Sequence, residues 1–159
     1  MAVDIEITED STIPQVLEAR IELHPDRIAY IFGDSRVTYR EFGERVKRMA
    51  AVLDGLGIQP GEKVAILLPN NIQFAVVTYA IVEVGGVVVA VNPFFKSSEM
   101  KHILSDSDSV AVIVDPRFIG ADPVGELKKI LPELPSVRHV IVDGPETDNW
   151  LDLKELLDR

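Results

Sequence analysis

Apolar residues in this chain come in short unbroken runs separated by proline, glycine and asparagine. The pattern is clearest over residues 62–95, EKVAILLPNNIQFAVVTYAIVEVGGVVVAVNPFF. An apolar run from Lys63 to Leu68 is closed by Pro69 and predicts a strand. Asn70 or Asn71 offers a side-chain oxygen to cap the next helix. Residues 72–84 are apolar on nearly every face, which predicts a helix covered on both sides. Gly85-Gly86 ends it, because glycine tolerates the left-handed backbone of a helix C-terminus. Residues 87–91 are a β-branched run suited to an interior parallel strand, and Asn92-Pro93 stops it. Strand, helix and strand in this order make a right-handed βαβ unit. Residues 72–91 also reach membrane-spanning length. Gln73, Thr78, Glu83 and the glycine pair favour the buried unit over a transmembrane segment.

The rest of the chain arranges itself around that unit. Residues 1–10 read as a loose leader. A helix starts at Ser11 or Thr12, where Thr12 and Gln15 have capping-box spacing and Pro14 fits a first turn. Ile13, Val16, Leu17 and Ile21 form its stripe, and His24-Pro25 ends it. Residues 27–32 and 36–39 flank Gly33-Asp34-Ser35 and predict a hairpin. Thr38 and Glu41 form a second capping box, and Phe42, Val46, Met49, Leu53 and Leu56 recur at helical spacing up to Gly57. Beyond residue 95, Ser97 or Ser98 opens a helix with Glu99 in its first turn and Met100, Ile103 and Leu104 inward. Residues 105–109 form a polar turn, 110–114 a strand closed by Asp115-Pro116, and 124–131 a helix. Residues 137–142 read as the last strand, closed by Asp143-Gly144-Pro145, and 150–157 as an amphipathic helix. Alternation of strand and helix predicts an α/β fold: a layered, mostly parallel sheet flanked by helices, with an N-terminal helix and β-hairpin. Residues 1–159 form a single subdomain on this reading.

Composition narrows the function. The length of 159 residues suits one domain, and 47% apolar residues suit a folded core. A formal net charge of −10 disfavours nucleic-acid partners and anionic membranes. It also gives no general attraction for anionic ligands, so a site for one needs local donors. Cysteine is absent, which excludes disulfides and thiolate metal sites. The acidic start MAVDIEITEDS has no secretory pattern, and a cytoplasmic location is expected.

Candidate chemistry is sparse. Gly55, Gly57 and Gly61 imitate a phosphate loop, but they follow a helix and precede a strand, the reverse of the required context. They read as a plain turn. His24, His102 and His139 lie in no metal-ligand spacing and read as structural or solvated. Asp106, Asp108 and Asp115 flank one strand. The strand-end rule for ligands in open sheets singles out Asp115, Asp143, Pro69-Asn70-Asn71 and Asn92, all of which also suit capping or strand stopping. Ser97-Ser98 suits helix capping more simply than anion binding. Phe94-Phe95 suits packing more simply than a pocket or partner anchor. No residue is assigned a catalytic, cofactor-binding or metal-binding role.

Several segments, in order, resemble the N-terminal portion of the adenylate-forming (AMP-binding) enzymes. These are HPDRIAYIFGDSRVTYREF, GIQPGEKVAILLPNN, AIVEVGGVVVAVNPFF and EMKHILSDSDSVAVIV, within residues 11–142. Ala90 before VNPFF is most similar to the fatty acyl-CoA synthetase branch. The resemblance implies part of the larger N-terminal domain of the acyl-CoA synthetase-like fold. It implies a parent that joins a carboxylic acid to coenzyme A through an acyl-adenylate, with ATP, Mg2+ and coenzyme A as cofactors. The family's phosphate loop, its adenine- and ribose-contacting motifs and its catalytic lysine lie downstream of the matched region, so no catalytic residue carries over. The expected partner is the remainder of the parent, with a homodimer left open. The alternative is a standalone, non-enzymatic interaction module using the same fold.

Overall fold

The computed structural model describes Thr8, residues 10–144 and residues 150–158. The expected leader before Thr8 and the turn at 145–149 lie outside the described residues. The elements run α1 (Ile13–Leu23), β1 (Ile28–Phe32), β2 (Ser35–Thr38), α2 (Tyr39–Gly55), β3 (Lys63–Leu67), α3 (Ile72–Glu83), β4 (Val87–Ala90) and α4 (Ser97–Asp106). They continue as β5 (Ala111–Val114), α5 (Pro123–Ile130), β6 (His139–Val142), β7 (Leu151–Asp152) and α6 (Leu153–Leu157).

Local chemistry sets the boundaries. Both expected capping boxes form. The Thr12 N–H donates to Gln15 Oε1 at 2.9 Å, and the Thr38 N–H donates to Glu41 Oε2 at 2.8 Å. In each case the threonine hydroxyl accepts the returning N–H. The Gly86 N–H donates to the Ile81 carbonyl at 2.8 Å and the Gly85 N–H to Val82 at 3.0 Å, the Schellman closure of α3. Gly85 takes φ +77°, and a Cβ on Gly86 would meet the Ile81 carbonyl oxygen at 3.0 Å.

The five-stranded sheet has order β4-β3-β5-β6-β7 with every pairing parallel. Its two faces come directly from side-chain alternation. Val64, Ile66, Ala111, Ile113 and Ile141 face a layer containing α1, α2, α3 and α6. Ala65, Leu67, Val112, Val114, Val140 and Val142 face α4 and α5. Helix α3 lies against α2, α1 and β1 as well as the sheet layer, which explains its all-round apolar sequence. It has 12 residues, and among the described residues no helix is long and apolar enough to cross a membrane.

The hairpin β1–β2 is a separate two-stranded antiparallel sheet. It is tied to the helices by Tyr30 against Phe42 at 4.6 Å between ring centroids and Phe42 edge-on to Tyr79 at 5.2 Å. Burial and the neighbouring Tyr79 push the Tyr30 phenol up to about 12.

One expectation is corrected. Residues 137–142 are not the last strand, and 150–157 are not one helix. Leu151–Asp152 pairs in parallel with β6, and Asp152 then caps α6 by accepting the Glu155 N–H at 2.9 Å. Two residues are too few to carry a period, so the strand is imposed by its neighbour.

Candidate functional site

In this strand order β3 has β4 on one side and β5 on the other, so the topological switch lies between β3 and β5. Ligands of open parallel sheets collect beyond the strand carboxyl ends at that point. Asp115 leaves β5 there, and it is 2% exposed. Its Oδ1 accepts the Arg117 backbone N–H at 2.7 Å and Nε–H at 2.8 Å, and its Oδ2 accepts Nη2–H at 2.7 Å. The same Nη2 donates to the Asp143 carbonyl at 2.8 Å beyond β6. Burial pushes the Asp143 carboxyl up from its ordinary value, while Arg117 pulls it down in part. This cluster ties the loops after β5 and β6 together. The Asp115 carboxylate already accepts on both oxygens, which makes it a strut rather than a free base.

The other strand-end positions are also taken up locally. Asn71 Oδ1 accepts the Phe74 N–H at 3.0 Å and so caps α3. Asn92 Oδ1 accepts the Phe94 N–H at 3.0 Å in a tight turn. Phe94 stays exposed, while Phe95 packs on the core of the α4–α5 side.

Ser97 and Ser98 do not cap α4, whose N-cap is Lys96. The Ser97 N–H donates to Glu126 Oε2 at 2.9 Å, and its hydroxyl donates to the same oxygen. Lys129 Nζ donates to Glu126 Oε1 at 3.0 Å. These donors, the Ser97 hydroxyl foremost, pull the Glu126 carboxyl down to about 2. The anion at this helix start is therefore the protein's own carboxylate.

The remaining candidates stay apart. Gly57 and Gly61 take φ +77° and +82° in the α2–β3 turn, at the amino end of β3 and away from the switch point. His24 is the C-cap of α1, His102 is exposed on α4, and His139 opens β6. Asp106 and Asp108 lie before β5, with the whole strand between them and Asp115. Among the described residues no group of three or more His, Cys, Asp or Glu is placed to hold a metal ion.

A cleft of about 390 Å³ contains one position that the strand-end rule singled out, Asp143, together with residues the sequence did not mark. Its walls include Arg45 and Arg48 of α2, Gln73 of α3, Asp143 after β6 and Lys154 of α6. Gln73 Nε2 is buried and meets no hydrogen-bond acceptor among the described residues. The sequence offers a faint signal for it: one amide in the first turn of a mostly apolar helix.

Comparison with known proteins places these features in a family. The family described as AMP-binding enzyme matches residues 17–158. The chain is 37% identical over 121 residues to Triostin synthetase I of Streptomyces triostinicus, covering 76% of this chain and 22% of that protein. It is 34% identical over 133 residues to a long-chain-fatty-acid–CoA ligase of Yersinia pestis, covering 83% of this chain and 23% of the relative. A solved putative long-chain-fatty-acid CoA ligase from Rhodopseudomonas palustris superposes with a TM-score of 0.84 at 25% identity, over 93% of this chain and 36% of that one. The chain thus spans between a fifth and a quarter of the length of these curated relatives. With a match over most of its length, the chain belongs to the AMP-binding, adenylate-forming enzyme family.

Proposed function

We propose that residues 1–159 are the N-terminal subdomain of an ATP-dependent acyl-CoA synthetase, and that they serve as scaffold for chemistry carried elsewhere in the parent. The observation that carries this reading is the family match over residues 17–158 by a chain that spans only 22% of Triostin synthetase I and 23% of the Yersinia pestis ligase. The parent would join a carboxylic acid to ATP, releasing pyrophosphate, and pass the acyl group from the adenylate to the coenzyme A thiol. It would use Mg2+ and work in the cytoplasm.

The residues in hand do not fit the nucleotide. The start of α4 is filled by Glu126, whose charge would repel a phosphate. The glycine turn lies at the amino end of β3, opposite the switch point. No step of the reaction is therefore assigned to a residue of this chain. The acyl-CoA branch is favoured by the Ala90-Val91-Asn92-Pro93 segment and by the ligase relatives, although Triostin synthetase I matches at similar identity.

Fatty-acid-dependent exchange of labelled pyrophosphate into ATP tests the reading. The full-length product of the gene is expected to catalyse it, and residues 1–159 alone are expected to give only the background rate. Exchange by the 159-residue chain would sink the scaffold role. Absence of exchange with every carboxylic acid tried in the full-length protein would sink the ligase assignment.

A further inference from the structure

Three loops leave the carboxyl end of the parallel sheet and are joined to one another. They are residues 91–96 after β4, 115–122 after β5 and 143–144 after β6. The first two meet at Gly120, which takes φ +80° and where a Cβ would lie 3.9 Å from the Phe94 ring. The second and third interlock more tightly. A Cβ on Gly144 would fall 2.9 Å from the Pro116 ring, so a side chain there would displace one of the loops.

The Arg117 guanidinium closes this joint. Its Nη2 donates at once to Asp115 Oδ2 at 2.7 Å and to the Asp143 carbonyl at 2.8 Å, and it lies 3.8 Å from the Asp143 carboxylate. One planar group thereby spans two loops. Stability alone is a poor reason for the arrangement. Asp115 is taken out of water, and an ion pair with a buried partner gives little net gain over apolar groups of similar size. What the fork supplies is fixed geometry. The joint stands beside the topological switch, where open parallel sheets collect their ligands. The loop it anchors carries Ile119, 97% exposed, next to the loop that carries Phe94, 57% exposed.

We propose that Arg117 is a positioning residue for the ligase reaction. It locks the loop after β5 onto the loop after β6 and so fixes the wall of the reaction site that this subdomain contributes. The proposal rests on the reading of the chain as a subdomain of a ligase. Arg117 moves no proton and acts only through the loop it holds. A wall displaced by about 1 Å can slow an enzyme on the order of a hundredfold, even though the reacting groups are all present.

A structural role and a positioning role separate when both charges are removed together. Asp115→Asn with Arg117→Met abolishes the ion pair and leaves no buried carboxylate unpaired, while the amide oxygen at position 115 can still accept the backbone N–H of residue 117. Arg117→Lys keeps a cation beside Asp115 but cannot reproduce the fork. Both are made in the full-length enzyme, and thioester formation is measured against carboxylic acid, ATP and coenzyme A in turn. The double variant is expected to unfold within about 3 °C of the unsubstituted enzyme. It is also expected to raise KM for one of the three reactants about tenfold, with Arg117→Lys in between. Partial unfolding lowers only the amount of active enzyme and hence the apparent kcat, so the rise in KM marks displacement of the loop. In the same variant the amides of residues 117–121 should exchange about tenfold faster. A double variant with unchanged KM for all three reactants would overturn the proposal. If that variant does not fold, Arg117→Lys decides alone, and unchanged KM values again overturn it. Absence of thioester formation by the unsubstituted full-length enzyme, with every acid tried, would remove the ligase reading itself, which keeps the two failures distinct.

Discussion

Two helical layers cover the same sheet, and they differ in how completely their polar groups are matched. On the α4–α5 side, Met100, Leu104 and Leu127 are fully buried. Glu126 fills the start of α4, and Lys101 of α4 pairs with Glu133 just after α5. On the opposite side, α2 and α6 leave a groove between them, Gln73 lacks a partner among the described residues, and the hairpin exposes Ile31 and Phe32. A layer that closes on itself has a structural task. The α2–α6 layer instead holds an orphaned donor, and its Arg45 and Arg48 form no ion pair among the described residues, while apolar side chains stay exposed on both sides, Ile31 and Phe32 on the hairpin and Phe94 and Ile119 in the loops before α4 and α5.

Core truncation should break this contrast most strongly. Leu127→Ala is expected to cost about 2–5 kcal/mol in urea unfolding, because a fully buried leucine leaves a cavity. Leu156→Ala, half-buried on the groove side, should cost less than about 1 kcal/mol in the 159-residue chain. Equal losses would mean that both layers are equally finished.

Next in size is the strut at the switch point. Arg117→Ala leaves Asp115 buried with a single backbone N–H donor among the described residues, and a loss of about 2 kcal/mol is expected. Full recovery with Arg117→Lys would contradict the two-pronged geometry, which an ammonium group cannot reproduce.

A smaller gain is expected at Asp108. It sits at φ +50° after α4, where the Ser109 N–H donates to the Leu104 carbonyl at 3.2 Å. This is the same closure that Gly57 makes after α2, where the Ile58 N–H donates to Leu53 at 3.1 Å. Asp108→Gly relieves the left-handed backbone and should add about 0.5–1 kcal/mol. A thermal midpoint that falls instead would locate a role for the Asp108 side chain.

The pH dependence sharpens the picture of the closed layer. Glu126 has its carboxyl held down to about 2, below the ordinary 4.5. Its ionised form therefore contributes stability above pH 4.5, and the contribution fades as pH falls from there toward 2. Glu126→Gln should be less stable than the parent sequence at neutral pH, with the gap closing as the medium becomes acid. A gap of constant size down to pH 2 would contradict the Ser97–Glu126 contact.

The mostly parallel sheet and the helices that flank it were legible because the residues that form them repeat locally, whereas the strand order and the side each helix takes were not. Thr12, Thr38 and the glycine pair at 85–86 mark boundaries by chemistry within a few residues. What escaped depends on partners distant in sequence. Glu126 reaches Ser97 across 29 positions, and Arg138 reaches Glu62 across 76, with distances of 2.9 and 2.7 Å to the two carboxylate oxygens. Strand β7 exists because β6 offers an edge. The groove was invisible for the same reason: Arg45, Gln73 and Lys154 meet only once α2, α3 and α6 are packed together. Asp115 was found by position, but its closed pairing with Arg117 makes it a strut.

Hydrogen exchange across the two layers tests the central contrast most directly. The 159-residue chain is placed in deuterated buffer, and amides of the hairpin at residues 28–38 are compared with those of β3 and β5. The hairpin is expected to exchange roughly a hundredfold faster in the short chain and to gain protection in the full-length protein, while β3 and β5 change little. A hairpin as protected as the central strands in the short chain, with no further gain in the longer one, would contradict the account.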